Sequence, residues 1–436
     1  MRGLCQTVGC AATFFALLAA AGRSRGGEPA AGPDWPQFHG PDRDALSAET
    51  GLLKTWPEGG PKLLWTYPDC GRGFSGVSVA GGAIYTAGDF GEDEYVLALD
   101  RDGCLRWKAK NGAAWRGEWP GSRSTPTLDA DRLYHLNAVG RLAAFRAESG
   151  QEVWAVDLVE RFGARRGRWA LAESVAIEGD RVLCLPGGKT ALMAALDKAT
   201  GATVWTCRDL DDSAAYCSPA LVTCKDRRLA ITLTRRHIVA VDVGTGRLLW
   251  AHPHPTALGQ NVNTPVFRDG HVFVTGAHRR GGVLLRINDD LAGVTEVWHR
   301  QDLDNCHGGT ILLDGRLYGS GCRQGGKRFF SADFLTGQDR GAPPDLGLVS
   351  LTSAEGRLYA FGIRGRVTLL EAGPDVCRVA GQFDLPGVQG KAADKPPSLG
   401  AIKEPAFAHP VVCGGRLYLR RGTNLYAYDI RAATSL

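Results

Sequence analysis

The chain has 436 residues, of which 44% are hydrophobic, and a formal net charge of +5. This length exceeds what one ordinary hydrophobic core fills, so several domains or one repeat architecture with a distributed core is required. The 58 glycines and only 2 methionines argue against a helix bundle and favour many tight turns between β-strands. We therefore expect an all-β protein.

Residues 1–21 are predicted to be a signal peptide. Arg2 supplies a positive charge, the stretch from Val8 to Ala21 is apolar, and the alanines at its end form a small-residue cleavage region. The apolar run is shorter than the roughly 20 residues that cross a bilayer. Cys10 lies inside the run rather than after it, which disfavours a lipid anchor. We expect an exported protein, periplasmic or extracellular, without a transmembrane segment.

Ten of the 12 cysteines follow the signal peptide, in a compartment expected to be oxidising. Their spacing contains no CxxC or other metal-binding pattern, so no metal site is predicted. Disulfides between Cys306 and Cys322, or between Cys207 and Cys217, are one interpretation. The other is that the cysteines are small hydrophobic side chains inside predicted strands.

A tryptophan recurs along the chain at intervals of 42 to 51 residues, at Trp65, Trp107, Trp154, Trp205, Trp250 and Trp298. Within each unit apolar and polar residues alternate with a period of two, which is the period of a β-strand. Repeats of this length and pattern are typical of four-stranded propeller blades.

The ends of the third strands number eight, at residues 100, 146, 197, 242, 288, 333, 371 and 429. The last unit has no fourth strand, whereas the segment PKLLWTY before the first unit supplies an extra one. Closing the last blade with this N-terminal strand removes open sheet edges. We therefore predict one monomeric eight-bladed propeller over residues 61–436, preceded by an N-terminal segment, residues 22–60.

The motif ALDKATGATVW, residues 195–205, is interpreted as structural. Asp197 is expected to accept backbone N–H bonds in a turn where Gly201 takes a positive φ, and Trp205 to bury its ring between blades. The same roles are predicted for Asp100, Trp107, Trp154, Asp242, Gly246, Trp250 and Trp298.

This "ALD..TG...W" pattern resembles the PQQ-like propeller repeat of quinoprotein alcohol dehydrogenases and of BamB outer-membrane assembly proteins. The segment from Asp34 to Trp65 resembles exported propeller proteins of planctomycete-type bacteria. The resemblance implies that PQQ with calcium is possible, held in the enzymes beneath an adjacent Cys pair and beside a catalytic Asp and Glu and Asn ligands. This chain has no adjacent Cys pair and no CxxCH motif, so no catalytic residue and no cofactor is assigned.

One face of the propeller is predicted to be basic, because its loops are rich in arginine. The predicted rim consists of Arg235, Arg236, Arg279, Arg280, Arg328, Arg364, Arg420 and Arg421. Such a rim around one mouth of the central channel would attract anions.

The starts of the innermost strands should line the same mouth. The candidate ligand-binding residues there are Arg72, Arg123, Glu173, Tyr216, Asn263, His307 and His409. The alternative is that these side chains merely bond to backbone or water inside the channel.

The leading hypothesis is an exported, non-enzymatic binding or scaffold module whose basic mouth takes an anionic small molecule, a glycan or an envelope protein. Export disfavours nucleic acid. The alternatives are a quinoprotein-like oxidoreductase that uses PQQ, and a BamB-like outer-membrane assembly scaffold.

Overall fold

The structure is a computed structural model that describes residues 34–321, 329–373, 376–388, 402 and 404–433. The predicted signal peptide lies outside the described residues. Within them, 32 strands form eight sheets, beside one short helix, α1 (Leu158–Phe162), and one 3₁₀ turn (Ala257–Gly259). None of the helical turns described has the length and apolar character needed to cross a bilayer.

Each sheet forms one blade, and the blades follow one another along the chain. Blades one and two consist of β3 (Ser78–Ala80), β4 (Ala83–Phe90), β5 (Asp93–Asp100) and β6 (Leu105–Ala113), then β7 (Thr127–Asp129), β8 (Arg132–Leu136), β9 (Arg141–Arg146) and β10 (Glu152–Asp157). Blades three and four consist of β11 (Ala176–Glu178), β12 (Arg181–Cys184), β13 (Met193–Asp197) and β14 (Thr203–Cys207), then β15 (Ala220–Cys224), β16 (Arg227–Leu233), β17 (His237–Asp242) and β18 (Leu248–Pro253).

The second half of the ring repeats this order. Blades five and six consist of β19 (Val266–Arg268), β20 (His271–Gly276), β21 (Gly281–Ile287) and β22 (Val294–Arg300), then β23 (Thr310–Leu313), β24 (Arg316–Gly319) and β25 (Phe330–Asp333). Blades seven and eight consist of β26 (Val349–Ala354), β27 (Arg357–Gly362), β28 (Arg366–Gly373) and β29 (Val376–Asp384), then β30 (Val411–Cys413), β31 (Arg416–Arg421), β32 (Asn424–Asp429) and β2 (Lys62–Tyr67).

Strand position within a blade decides the hydrophobic pattern. Middle strands such as β8 are buried along most of their length, whereas the outer strand β6 alternates between exposed and half-buried residues. The middle strands lie between neighbouring blades, so both of their faces must be apolar, while an outer strand keeps one face in water. The apolar side chains of neighbouring sheets therefore pack together in layers between the blades.

The predicted closure of the ring is confirmed. β2, from the N-terminal side of the first blade, pairs antiparallel with β32, the last strand of the chain, with Lys62 opposite Asp429 and Tyr67 opposite Leu425. The two ends of the repeat region are therefore held in one sheet, which leaves no open blade at the junction.

Blade six departs from the four-strand expectation. After β25 only one isolated bridge, between Ala332 and Asp339, stands in place of an outer strand among the described residues. The following sequence contains Pro343 and Pro344, which have no N–H to donate to a strand ladder.

The repeat motif joins neighbouring blades. Gly246 in blade four has φ +76°, and a methyl group added there would lie 2.6 Å from Cδ2 of Trp205 in blade three. Trp205 Nε1 donates to the carbonyl of Val243, at 3.0 Å. Asp242 Oδ1 accepts from the backbone N–H and the hydroxyl of Thr245, which shapes this turn.

The same ring-on-glycine contact recurs between other pairs of blades. The pairs are Trp65 on Gly103, Trp107 on Gly150, Trp154 on Gly201 and Trp298 on Gly337. At Trp250 the indole N–H has no partner among the described residues. The equivalent carbonyl in the next unit, that of Asp289, accepts from Lys225 Nζ instead.

The predicted disulfide between Cys207 and Cys217 is wrong, since both residues are free, buried thiols. The alternative pair cannot be placed, because Cys322 lies outside the described residues. Burial raises the pKa of Cys217 to about 11, which makes it an inert core side chain.

Candidate functional site

The N-terminal segment crosses the central channel, a feature with no counterpart in the sequence interpretation. Trp35 bridges to Val79 of blade one, and β1 (Leu46–Ser47) pairs in parallel with the innermost strand of blade seven. Between them, Arg43 is 3% exposed. Its guanidinium donates to the carbonyls of Ser174 (2.7 Å) and Pro219 (2.8 Å), at the starts of blades three and four.

Above this segment lies a cavity of about 390 Å³, within the range of roughly 300–1,000 Å³ that is usual for small-molecule sites. Its wall includes residues one to three positions before the innermost strands of seven blades: Gly76, Thr125, Ser174, Ser218, Thr264, Gly309 and Ala408. The cavity is therefore at the predicted mouth of the channel, and Phe38 and His39 of the N-terminal segment form its floor.

An imidazole pair in the floor has defined hydrogen-bond roles. His409 Nε2 lies 3.0 Å from the carbonyl of His307, so this nitrogen must donate. Burial lowers the pKa of His409 to about 4, so its ring is neutral and its Nδ1 accepts from His39 Nε2, at 3.0 Å. Burial also holds the pKa of His39 well below its usual value, which leaves Nδ1 of His39 as an acceptor that no described residue uses.

Aromatic rings form two walls of the cavity. On one side Phe407 contacts Phe74 at 5.3 Å, Trp119 at 5.9 Å and His307 at 4.4 Å between ring centroids. On the other side a second wall consists of Trp169 and Tyr216, whose centroids are 5.5 Å apart. Rings of this kind offer large apolar surfaces with a negative face that attracts polarised C–H groups and cations.

Arg123 brings positive charge to the cavity wall. Its NH2 group donates to the carbonyls of Glu118 and Trp119, and NH1 to that of Gly121, which fixes the loop that carries Trp119. Burial lowers the pKa of Arg123 to about 10, so it stays charged near neutral pH, and no described carboxylate lies within ion-pair distance of it. Arg168 differs, because its charge is paired with Glu118 at 2.7 Å.

Four cavity residues other than glycine have left-handed backbone conformations. They are His39 (φ 65°), Trp119 (φ 53°), Leu258 (φ 64°) and His278 (φ 56°). Such conformations are unfavourable for bulky side chains and concentrate at ligand sites. Leu258 is also 51% exposed although it is apolar, so its backbone is strained without any gain in burial.

Five of the seven predicted ligand-binding residues line this cavity: Arg123, Tyr216, Asn263, His307 and His409. The amide of Asn263 is fully engaged, since it donates to Thr275 Oγ1 and to the carbonyl of Asn305 and accepts from Gly309 N–H. It therefore shapes the wall.

The structure does not place the other two in the cavity wall. Arg72 is exposed and pairs through its backbone with Asp89. Glu173 is 4% exposed and its carboxylate accepts from the backbone N–H of Leu185 at 2.6 Å. Burial raises the pKa of Glu173 to about 7.

The predicted basic rim has less unpaired positive charge than the sequence indicates. Arg420 was placed on the rim wrongly: it is 2% exposed and donates to the backbone of Ser75, Cys70 and Gly71 and to the hydroxyl of Thr86. It ties blade eight to blade one.

Several rim arginines have acidic or carbonyl partners. Arg236 pairs with the buried carboxylate of Asp212 at 3.1 Å, and Arg280 and Arg421 donate to the carbonyls of Pro253 and Glu404. Arg279 and Arg235 are exposed and Arg364 is half-buried, while Arg328 lies outside the described residues. The Asp212 partner reduces the charge of the rim.

Two carboxyl groups lie in the neighbouring hairpin of blade one, where Asp89 pairs opposite Glu94. Glu94 is fully buried beside His135, with 3.6 Å between Oε1 and Nε2. Burial raises the pKa of Glu94 to about 8 and that of Asp89 to about 6. Burial lowers the pKa of His135 to about 4, so Glu94 and His135 are both neutral near pH 7.

The donor set of the cavity does not fit a calcium ion with PQQ. Calcium binds carboxylate and carbonyl oxygens, yet no Asp or Glu is among the described lining residues. Two carboxyl groups are adjacent in sequence to cavity residues. Glu118 pairs with Arg168, and Glu173 accepts from Leu185 through Oε1, while its Oε2 has no partner among the described residues. No group of three or more His, Cys, Asp or Glu side chains in the described parts of the chain is placed to hold a metal.

The fold and the repeat define the protein as a PQQ-like β-propeller. The family model described as "Outer membrane protein assembly factor BamB" matches residues 92–340, more than half of the chain. The chain belongs to this family. Curated proteins, by contrast, include no match.

Solved structures show the same fold at low sequence identity. BamB from Moraxella catarrhalis is 14% identical with a TM-score of 0.56, covering 86% of this chain and 99% of that one. Quinohemoprotein alcohol dehydrogenase from Comamonas testosteroni is 12% identical with a TM-score of 0.61, covering 93% and 81%. A europium-containing methanol dehydrogenase is 13% identical with a TM-score of 0.59, covering 81% and 85%. These similarities establish the architecture alone.

Proposed function

We propose that the protein is an exported, non-enzymatic propeller that binds a small anionic ligand in the channel-mouth cavity. One observation carries the proposal: the cavity combines two aromatic walls with Arg123, a charged side chain whose described carboxyl neighbours, Asp89 and Glu94, act on it from beyond ion-pair distance. A half-buried cation of this kind favours an anion beside it.

The cavity is also built from the parts of the chain that do not repeat. The loop that carries Trp119, the turn at Leu258 and the N-terminal segment with His39 interrupt the pattern of the blades. Because the repeat serves to stack blades, these loops are where a propeller acquires specificity.

The test is to fill the cavity. Ala172 lines it, and Ala172→Trp would occupy its volume, whereas Ala292→Trp changes an exposed turn between β21 and β22 at the other end of the blade. A panel of sugars, small anions and aromatic carboxylates is titrated against the purified full chain and both variants. We expect a ligand that binds the wild type and Ala292→Trp but not Ala172→Trp. If no panel member distinguishes the two variants, the proposal is wrong.

A second candidate is an envelope scaffold, as the family description indicates. Outer strands of five blades each expose an apolar side chain by 38–47%: Leu63, Leu105, Val204, Val297 and Val379. Outer strands with exposed apolar side chains are suited to contact another protein chain. Crosslinking in cells from a photoreactive residue at Val204 should recover one envelope protein, and a residue at Ala292 should not. Equal patterns from both positions would refute this function.

A further inference from the structure

The polar groups of the cavity narrow the class of ligand, on the basis of the binding function proposed above. Thr264 is 7% exposed, and its hydroxyl is buried without a hydrogen-bond partner among the described residues. A buried hydroxyl without a partner costs free energy. Thr264 lines the cavity, and rotation of its side chain to another staggered rotamer would turn the hydroxyl toward a bound ligand, which would then supply the partner.

Two further polar groups of the cavity can form hydrogen bonds with a ligand. His39 Nδ1 is an acceptor, as the imidazole pair requires, and can accept from a hydroxyl group of the ligand. Tyr216 is 8% exposed and its oxygen accepts from the backbone N–H of Trp169 at 3.3 Å, while its own proton has no acceptor among the described residues. The three groups belong to the N-terminal segment and to two different blades, so they surround the cavity.

A planar aromatic acid satisfies the rings and Arg123 but carries no ring of hydroxyl groups. A free anion satisfies Arg123 alone. A sugar ring presents C–H bonds on its faces, which pack on aromatic side chains, and hydroxyl groups around its edge that both donate and accept. An acidic sugar adds the negative charge that Arg123 favours.

We propose that the cavity binds an acidic sugar whose ring packs against the Trp119–Phe407 or Trp169–Tyr216 wall. Its anionic group lies beside Arg123, and its hydroxyl groups bond to Thr264 Oγ1 and His39 Nδ1. The ligand class is thus a uronic acid or a residue of an acidic polysaccharide.

The decisive variant is Thr264→Val. Because Oγ1 has no partner among the described residues, the substitution removes no hydrogen bond that the structure shows and should leave the melting temperature unchanged or slightly higher. Thr310→Val is the matched control, since Thr310 is also 7% exposed with an unpartnered hydroxyl but is not a cavity residue.

Titration calorimetry of the full chain uses D-glucuronate, D-glucuronamide, D-glucose, benzoate and inorganic sulfate. We expect glucuronate to bind at least about tenfold more tightly than glucuronamide or glucose, because only glucuronate has the charge that Arg123 favours. Thr264→Val should weaken glucuronate binding roughly 3- to 10-fold, and Thr310→Val should not change it.

Other outcomes separate this inference from the proposed function. If benzoate or sulfate binds as tightly as glucuronate and Ala172→Trp abolishes that binding, the cavity is a ligand site but the sugar assignment is wrong. Equal affinity of Thr264→Val and wild type for glucuronate also refutes the sugar assignment. If Ala172→Trp changes the binding of none of the five compounds, the proposed cavity function itself fails.

Discussion

The contact between Gly246 and Trp205 offers a controlled test of how the blades are held together. Replacing Gly246 by Ala places a methyl group 2.6 Å from two ring atoms of Trp205, at a backbone φ of +76°. Gly270 has nearly the same φ, +74°, but an added methyl group there has nothing within 4 Å. Gly270→Ala therefore measures the cost of the backbone conformation alone.

The magnitudes follow from the geometry. Both substitutions should lose about 1–2 kcal/mol, because an L-residue is disfavoured at this φ. Gly246→Ala should lose a further 1–3 kcal/mol, because carbon atoms pack well only at roughly 3.5–4.0 Å and the ring must move. The displaced indole also weakens its bond to the Val243 carbonyl, worth about 0.5–1.5 kcal/mol.

The assay is urea denaturation of the full chain, followed by circular dichroism so that the signal does not depend on Trp205. Gly246→Ala should lower the midpoint clearly more than Gly270→Ala. In the background Trp205→Ala the difference between the two glycine substitutions should largely vanish. Equal midpoints for both in the wild-type background would show that the ring-on-glycine contact does not stabilise the blade interface.

Three further predictions concern buried polar groups. Burial raises the pKa of Glu94 to about 8 from a usual 4.5. Between these two pH values the unfolded chain loses a proton that the folded protein keeps, so the free energy of unfolding is highest below pH 4.5 and falls until pH passes 8. Glu94→Gln should flatten this fall in the denaturation midpoint, and an unchanged pH profile would contradict the prediction. Arg420→Met should lower the free energy of unfolding by roughly 2–4 kcal/mol, because five described acceptors in blade one and the segment just before it lose their donor. The exposed Arg235→Met should change it by less than about 0.5 kcal/mol in the same assay. Arg43→Met should loosen the N-terminal segment from the channel, so that limited proteolysis cleaves the chain within residues 34–60. A digestion pattern equal to that of the wild type would show that Arg43 does not anchor the segment.

The ring of blades was predictable because its determinants are local and repeated. The turn at Asp197 and Gly201 lies within ten residues of Trp205, and the period of two was legible in outer strands such as β6. The closing strand β2 followed from a count of strand ends, which needs no three-dimensional information. The exception was blade six, where the described residues contain no outer strand, although Pro343 and Pro344 were a visible signal against one.

The site was only partly predictable because its contacts are distant in the chain. His39 and His409 are 370 positions apart, and the N-terminal segment carries no repeat that would place it across the channel. Turn order put Arg420 on the basic face, but the length of its side chain lets it reach the backbone of blade one. The partner of Arg236 is 24 residues away in a connecting loop, so counting basic residues alone overstated the charge of the rim.

The central claim is that the mouth cavity binds an acidic sugar, and a crystal structure of the full chain with D-glucuronate tests it most directly. We predict sugar density between the two aromatic walls, with the carboxylate beside Arg123 and a hydroxyl group within hydrogen-bond distance of Thr264 Oγ1. A cavity without sugar density at saturating glucuronate, or sugar bound only on the outer strands, would contradict it.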